Sequence, residues 1–497
     1  MSRKTLTVKV QRFSPEKDAE PHLETYTVEV NEGARVLHVL HAIHDQIDPS
    51  LMYRYCCGSG QCGSCAVRVN GEPELACMKE AEDGMVIEPL RLPIIGDLCV
   101  DLAPVLEKMA QIVPPGDSKV PTKEEIEAIK PLRDCIECLA CVSECPAMEV
   151  AEFAGPAAMR QEMRIALDPR DTEASTRIAT AVEEGLFACT TCQKCWKVCP
   201  KEIQIPGKAI EKLREIANRE GFTLPRHQEV AELVKRTGRS VTRTEPTFLE
   251  QVPEVIEPDG QVRGEVGFFV GCMYNGRVPQ NALDMIEVMK RNGIRVIVPH
   301  DQVCCGSPLI RTGQTSFLEE LRRRNIEAFA TRGIRTVMTM CAGCGSTLKN
   351  DYDTPFEVKD VTEVLTEYGI EPPAKLDLVA TYHDPCHLLR GQGISEQPRE
   401  LLRGVVEHFV EMPSKCCGAG GGVRSGLPEE AKAFAKMREE EIEKTGADIV
   451  VSVCPFCEFH ISESTDRPVK NICSVLLMGY REKDRKSRES GEKKNKE

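Results

Sequence analysis

The sequence predicts a multidomain chain of mixed class: a strand-rich N-terminal domain, a helical domain around two dense cysteine runs, and two α/β repeats. Three observations carry this reading. The chain has 497 residues, more than one hydrophobic core accommodates. Its 25 cysteines fall in spaced groups. From residue 263 the chain duplicates itself: Cys272, Cys304-Cys305 and Cys341-x-x-Cys344 return as Cys386, Cys416-Cys417 and Cys454-x-x-Cys457, at offsets of 114, 112, 113 and 113 residues.

Composition narrows the chemistry. Apolar residues are 41% and charged residues 29%, ordinary for a soluble globular protein. The net charge of −14 excludes nucleic acid as the main partner, because phosphate binding needs a basic surface. No apolar run reaches the roughly 18 residues that suggest a membrane span. MSRKTLTVKVQRF alternates like a strand and lacks the apolar region of a signal peptide, so a cytoplasmic location is expected. A cytosolic chain keeps its thiols reduced, which turns the cysteines toward metal or redox chemistry. With only 10 histidines most ligands must be sulfur, and sulfur favours zinc or iron–sulfur clusters.

Residues 1–105 contain alternating strands (TLTVKVQRF, ETYTVEV), a helical pattern (ARVLHVLHAIHDQID) and a hairpin signal at Asn70-Gly71. Between them lies Cys57-x4-Cys62-x2-Cys65-x11-Cys77, the plant-type [2Fe–2S] spacing. Gly58, Gly60 and Gly63 allow the backbone to wrap tightly around such a cluster. A zinc knuckle usually pairs two CxxC units, and this loop has one. Cys56 is out of register. Residues 106–220 read as helical and carry Cys135-x2-Cys138-x2-Cys141-x3-Cys145-Pro146 and Cys189-x2-Cys192-x2-Cys195-x3-Cys199-Pro200. In the two-cluster ferredoxin pattern each run's fourth cysteine serves the other cluster. One [4Fe–4S] cluster therefore takes Cys135, Cys138, Cys141 and Cys199, and the other takes Cys145, Cys189, Cys192 and Cys195. Residues 221–262, with Pro225, Pro246, Pro253 and Pro258, read as a linker.

Residues 263–372 and 373–480 each alternate strands with helices, which predicts a parallel α/β unit per repeat with cysteines at strand ends. Each repeat offers five thiolates: Cys272, Cys304, Cys305, Cys341 and Cys344, then Cys386, Cys416, Cys417, Cys454 and Cys457. Five exceed the four corners of a cubane or a tetrahedral zinc. An adjacent pair suits two irons opened apart better than one ion; zinc or an ordinary cubane in either repeat is the alternative. Gly306 and Gly418 follow the pairs and keep backbone near sulfur. GAGGG at 418–422 lacks the last glycine of GxGxxG, since Val423 stands there, and belongs to the cysteine motif. His383 and His387 flank Cys386; packed histidines are the ordinary reading, and they are also where a proton donor would be sought. Cys56, Cys99 and Cys473 are left unassigned. The tail 481–497 is nearly all charged and is expected to be disordered.

Residues 1–220 resemble the iron–sulfur subunit of succinate dehydrogenase and fumarate reductase, through RYCCGSGQCGSCAVRVNGEPELAC, PLRLPIIGDLCVDL, CIECLACVSECP and CWKVCPKEIQIPGKAI. The resemblance implies a β-grasp [2Fe–2S] ferredoxin domain followed by an α-helical ferredoxin domain. Members with a [3Fe–4S] cluster lack a cysteine where Cys192 stands, so [4Fe–4S] is expected and the quinone site beside it is in doubt. The repeats resemble the cysteine-rich (CCG) domains in the B subunit of heterodisulfide reductase, which implies one noncubane [4Fe–4S] cluster per repeat, facing each other across a substrate cleft. Chains joining both halves resemble the thiol:fumarate reductases of methanogenic archaea, over nearly all of residues 1–480. That resemblance implies oxidation of coenzyme M and coenzyme B thiols to their heterodisulfide at the ten repeat cysteines. Electrons then pass through the [4Fe–4S] and [2Fe–2S] clusters to a separate flavoprotein subunit that reduces fumarate. No strand here precedes a dinucleotide fingerprint, which places the FAD on that partner. The alternative is the iron–sulfur subunit of a membrane-associated, quinone-linked succinate dehydrogenase or fumarate reductase, which predicts a membrane-seeking amphipathic helix.

Overall fold

Strict alternation builds the first sheet. Arg3–Arg12 (β1) buries Leu6, Val8 and Val10, and His22–Asn31 (β2) buries Tyr26, Val28 and Val30, because a period of two puts these side chains on one face. The computed structural model describes residues 2–112, 116 and 119–494. β1 and β2 pair antiparallel from Arg3↔Asn31 to Arg12↔His22. Ala66–Val69 (β3), Glu72–Leu75 (β4) and Val86–Glu88 (β5) complete a five-stranded sheet in the order β2-β1-β5-β3-β4. Asn70 and Gly71 turn β3 into β4 with φ of 51° and 87°, the left-handed pair that a two-residue hairpin requires. The helix Val36–Gln46 adds Val36, Leu37, Val39, Leu40 and Ile43 to the same core. Ile94–Gly96 (β6) and Cys99–Val100 (β7) form a small hairpin, after which helices such as Lys123–Arg133, Pro156–Ala166, Ala174–Glu183 and Glu211–Arg219 accompany the cysteine runs.

The backbone divides into two bodies, Met1–Leu186 with Gln193–Glu220, and Phe187–Cys192 with Gly221–Glu497. Six residues expected with the helical domain thus pack with the repeats. In the second body Val255–Ile256 (β8), Gly264–Phe269 (β9), Ile294–Ile297 (β10), Thr336–Thr339 (β11) and Glu357–Asp360 (β12) form a sheet in the order β12-β11-β9-β10-β8. Only β8 is antiparallel to its neighbour. Leu376–Tyr382 (β13), Val406–Val410 (β14), Ile449–Ser452 (β15) and Val469–Asn471 (β16) form an all-parallel sheet, β14-β13-β15-β16. β9 to β12 and β13 to β16 follow one connectivity, so the sequence repeat is a fold repeat. The second sheet's counterpart of β8 is missing among the described residues. One hydrophobic core runs through both repeats, from Phe268 and Val337 to Val450 and Leu476.

Two expectations are corrected. Residues 221–262 are not a linker: they contain the helix Pro225–Thr237, the turn of helix Phe248–Gln251 and β8. Pro225 stands in the first helical turn, where its missing N–H is not needed, and Gly238 (φ 70°) closes the helix. The charged tail is not disordered through residue 494, since the helix Ile472–Lys494 runs on through it. Arg291 clasps Asp484 at 2.8 and 2.9 Å and Lys483 meets Glu371 at 2.7 Å, partners more than 100 residues upstream that hydropathy does not reveal. Residues 495–497 lie outside the described residues. Among the described residues no helix is long and apolar enough to cross a membrane.

Candidate functional site

The first cysteine loop is shaped by glycine. Gly58, Gly60 and Gly63 have φ of 65°, 70° and 71°, and the loop aims N–H groups at sulfur: Ser59 and Gln61 donate to Cys57 Sγ at 3.4 and 3.3 Å, and Gly60 donates to Cys77 Sγ at 3.3 Å. The Ser59 N–H, with that of Gln61, brings the Cys57 thiol down to about 6. Thiolate-stabilising amides are what a cluster loop needs. A Cβ on Gly63 would lie 2.5 Å from Ile136 O and 2.9 Å from Cys138 Cα, so this loop presses directly on the first cysteine run.

The two runs share one unusual backbone. Glu137 and Leu139 in the first, and Thr191 and Gln193 in the second, all have φ between 52° and 64°, a region L side chains seldom occupy. In each run the first of these residues returns its N–H to the leading cysteine, Glu137 to Cys135 Sγ at 3.5 Å and Thr191 to Cys189 Sγ at 3.3 Å. Strain repeated at matching positions marks a built site. Burial, then the neighbouring sulfurs, pushes the Cys141 thiol well up; Cys138, Cys135, Cys199 and Cys145 are the charged neighbours. Cys199 and Cys145 thus both lie near the leading cysteines of the first run.

In the second body the cysteines stand at the carboxyl ends of parallel strands: Cys272 after β9, Cys341 after β11, Cys386 after β13, Cys454 after β15. Cys305 and Cys344 Sγ are 3.3 Å apart, and Cys417 and Cys457 Sγ are 3.5 Å apart. Hydrogen-bonded thiol contacts also join Cys272 to Cys304, Cys386 to Cys416 and, between repeats, Cys341 to Cys454. Cys304 and Cys416, as neighbours, push Cys272 and Cys386 well above the usual thiol range, and hydrogen bonds hold Cys305, Cys417 and Cys454 well below it. Buried sulfurs this close cannot all ionise without cations among them. A set of soft thiolates, five per repeat, fits an iron–sulfur cluster and is too large for one tetrahedral ion.

Gly306 (φ 81°) and Gly418 (φ 89°) have a second role beyond the approach to sulfur. A Cβ there would strike Leu318 Cδ1 and Phe434 Cβ, each at 2.3 Å, on the helices Leu318–Ala330 and Pro428–Thr445. Their N–H groups donate to Cys304 and Cys416 Sγ at 3.5 and 3.4 Å. Gly420 and Gly421 let the backbone of Thr190 and Cys189 approach; added Cβ atoms would lie 2.8 and 2.4 Å from those carbonyl oxygens.

A cavity of about 480 Å³ lies between the repeats, faced by Cys272, Cys305, Cys341 and Cys344 from one and Cys386, Cys417, Cys454 and Cys457 from the other. Arg226, Arg277, Arg311 and Arg424 also line it. Arg311 is paired with Asp351 and Arg424 with Glu463, whereas Arg277 hydrogen-bonds Thr242 Oγ1 and has no carboxylate partner among the described residues. His387 lines the cavity with Nδ1 3.8 Å from Cys386 Sγ. Burial lowers both His383 and His387 to about 3, so each imidazole is neutral at physiological pH. The sequence reading missed Arg226 and His227, which lay in the supposed linker, and the buried Arg438. Helical periodicity of that segment was the available signal.

Family models agree with this layout: a 2Fe-2S iron-sulfur cluster binding domain matches residues 7–107, a 4Fe-4S dicluster domain matches 131–203, and a cysteine-rich domain matches 266–349 and 380–462. The chain is thus a multidomain iron–sulfur protein. It is similar to the B subunit of the fumarate reductase (CoM/CoB) of Methanothermobacter marburgensis, 44% identical over 497 residues that cover 96% of this chain and 99% of that protein. The D subunit of the dihydromethanophenazine:CoB–CoM heterodisulfide reductase of Methanosarcina acetivorans is 32% identical over 307 residues, 57% of this chain and 74% of that one. The fumarate reductase iron-sulfur subunit of Haemophilus influenzae is 36% identical over 231 residues, 41% of this chain and 90% of that one.

Proposed function

This chain belongs to the family of fumarate reductase (CoM/CoB) B subunits, and from that premise we propose that it oxidises coenzyme M and coenzyme B thiols to their mixed disulfide and hands the electrons to a flavoprotein partner that reduces fumarate. The balance is complete: two S–H bonds are lost, one S–S bond forms, and two electrons and two protons reach fumarate to give succinate. It is an oxidoreductase subunit whose own role is iron–sulfur electron transfer.

The residues divide the work. Cys57, Cys62, Cys65 and Cys77 would hold a [2Fe–2S] cluster in a β-grasp domain. Cys135, Cys138, Cys141 and Cys199, and Cys145, Cys189, Cys192 and Cys195, would hold two [4Fe–4S] clusters in the helical domain. The five cysteines of each α/β repeat would hold a noncubane [4Fe–4S] cluster. Bound clusters supply one-electron steps into which the two-electron thiol–disulfide couple divides. The cavity would take two thiols side by side, with Met273, Pro308 and Phe456 as apolar lining. Arg277, free of a carboxylate, suits an anionic group of the incoming thiol. Met52, Tyr55 and Met78, 47%, 56% and 52% exposed beside the first cysteine loop, offer a docking face for the FAD-bearing flavoprotein.

The single observation that carries this reading is the cavity faced by four cysteines from each repeat. Its test uses the complex with the flavoprotein. Cys305→Ser and Cys417→Ser are expected to abolish thiol-dependent fumarate reduction while fumarate reduction driven by reduced viologen persists. Thiol-dependent turnover at parental rate in both variants would remove the cavity from the reaction.

A further inference from the structure

The two repeats share a fold but not an electrostatic setting. His383 is 1% exposed, neither ring nitrogen has a hydrogen-bond partner, and a ring nitrogen lies within 4.8 Å of the Cys417 and Cys457 sulfurs. Arg438, also 1% exposed, donates once, to Pro413 O at 2.6 Å; its Nε and second terminal nitrogen are buried without a partner, beside Cys417 and Cys457. The nearby carboxylates are engaged elsewhere: Asp384 is clasped by Arg399 at 2.9 and 2.8 Å, and Glu441 meets Lys415 at 3.2 Å. Arg390 stands near Cys386 and Cys416 and donates to Cys192 O at 2.7 Å.

In the first repeat the buried Arg311 is paired with Asp351 at 3.1 Å, and the positions aligned with the second repeat's set differ. Counted from the shared cysteines, Phe269 stands where His383 does and Gly276 where Arg390 does, and Arg438 falls opposite Asn325 or Ile326. Asn325 is neutral and spends its amide on Val303 N, Cys304 O and Tyr352 OH. An uncompensated buried guanidinium is costly unless an anion sits against it. N–H donors and positive charge near a cluster stabilise its reduced, more negative state.

Position agrees with charge. The Cys416 thiol lies 3.4 Å from Thr190 Oγ1 and pairs with the Cys192 thiol, so the second repeat adjoins the leading half of the second ferredoxin-type run. We propose that Arg438 and His383 set the cluster of the second repeat at a higher potential than that of the first, making it the collecting and exit point for both electrons. This rests on the reading that each repeat holds an iron–sulfur cluster, and its test needs no thiol substrate.

The experiment is a redox titration of the iron-replete complex followed by electron paramagnetic resonance. In the parent, the two repeat clusters are expected to differ by at least tenfold in reduction equilibrium, 59 mV for one electron. Arg438→Gln and His383→Phe are each expected to lower the same single midpoint by that amount, with Arg438→Lys recovering most of it and the other midpoints unmoved. Pulsed spectroscopy of the parent labelled with ¹⁵N-histidine is expected to show imidazole couplings, of which His383→Phe removes one while that of His387, 3.8 Å from Cys386 Sγ, persists. Coincident parental midpoints, unmoved midpoints in iron-replete variants, or imidazole couplings that His383→Phe leaves unchanged would each overturn the proposal. Absence of iron from the second repeat would instead overturn the cluster reading on which it stands.

Discussion

The glycine after each cysteine pair is held by geometry on two sides, a left-handed φ and a helix 2.3 Å from any Cβ. Gly418→Ala should therefore lose about 2 kcal/mol or more, from about 1–2 for the backbone and about 1–3 for overpacking. Denaturant midpoint and iron content should fall together. Gly404→Ala, in open space on the helix Glu396–Val405, is the control and should hold or gain stability. Asp360 gives a pH test. Burial raises its carboxyl from the ordinary 3.8 to about 7. A raised acid favours the neutral form when folded, so the stability it contributes is full below pH 3.8 and is lost as pH rises toward about 7. Asp360→Asn removes this titration, and its urea midpoint should fall less steeply than the parent's over that window, where Glu162 and Glu458 still titrate; parallel declines would contradict the assignment. At the cavity, Arg277→Gln should raise KM for an anionic thiol about 10-fold or more with kcat little changed, the worth of a charge-assisted hydrogen bond. The spacing of cysteines made legible in the sequence the thiols that the fold gathers around the cavity. Arg438 was not, because a lone arginine in a charged helix looks solvated until the fold buries it.

At the scale of elements, strand alternation and Asn70-Gly71 specified the first sheet well, since both are local. The failures were tertiary. Pro225 starts a helix by the same chemistry that suggested a linker, and the tail helix is anchored on Arg291 and Glu371, far away in sequence. Deleting residues 481–497 should cost little, under about 1 kcal/mol per exposed ion pair, and shift the melting temperature by only a few degrees. Gly63 is the more consequential element contact, because its missing side chain is what lets the first cysteine loop touch Ile136 and Cys138. Gly63→Ala should slow reduction of the [2Fe–2S] cluster in freeze-quench measurements about tenfold while leaving its midpoint in place. An unchanged rate would show that this contact does not carry the electrons.

The whole molecule places electron-transfer modules and a sulfur-walled cavity on one chain. That the cysteines repeat was readable at once; that Cys341 meets Cys454, or Cys416 meets Cys192, was not, because those contacts join residues that spacing alone leaves unrelated. The account stands on the cavity being where two thiols become one disulfide. The most direct measurement mixes the anaerobic, iron-replete complex with both coenzyme thiols and fumarate and counts mixed disulfide against succinate. One mixed disulfide per succinate is predicted. Succinate formed only from viologen electrons, with no disulfide from the thiols, would contradict it.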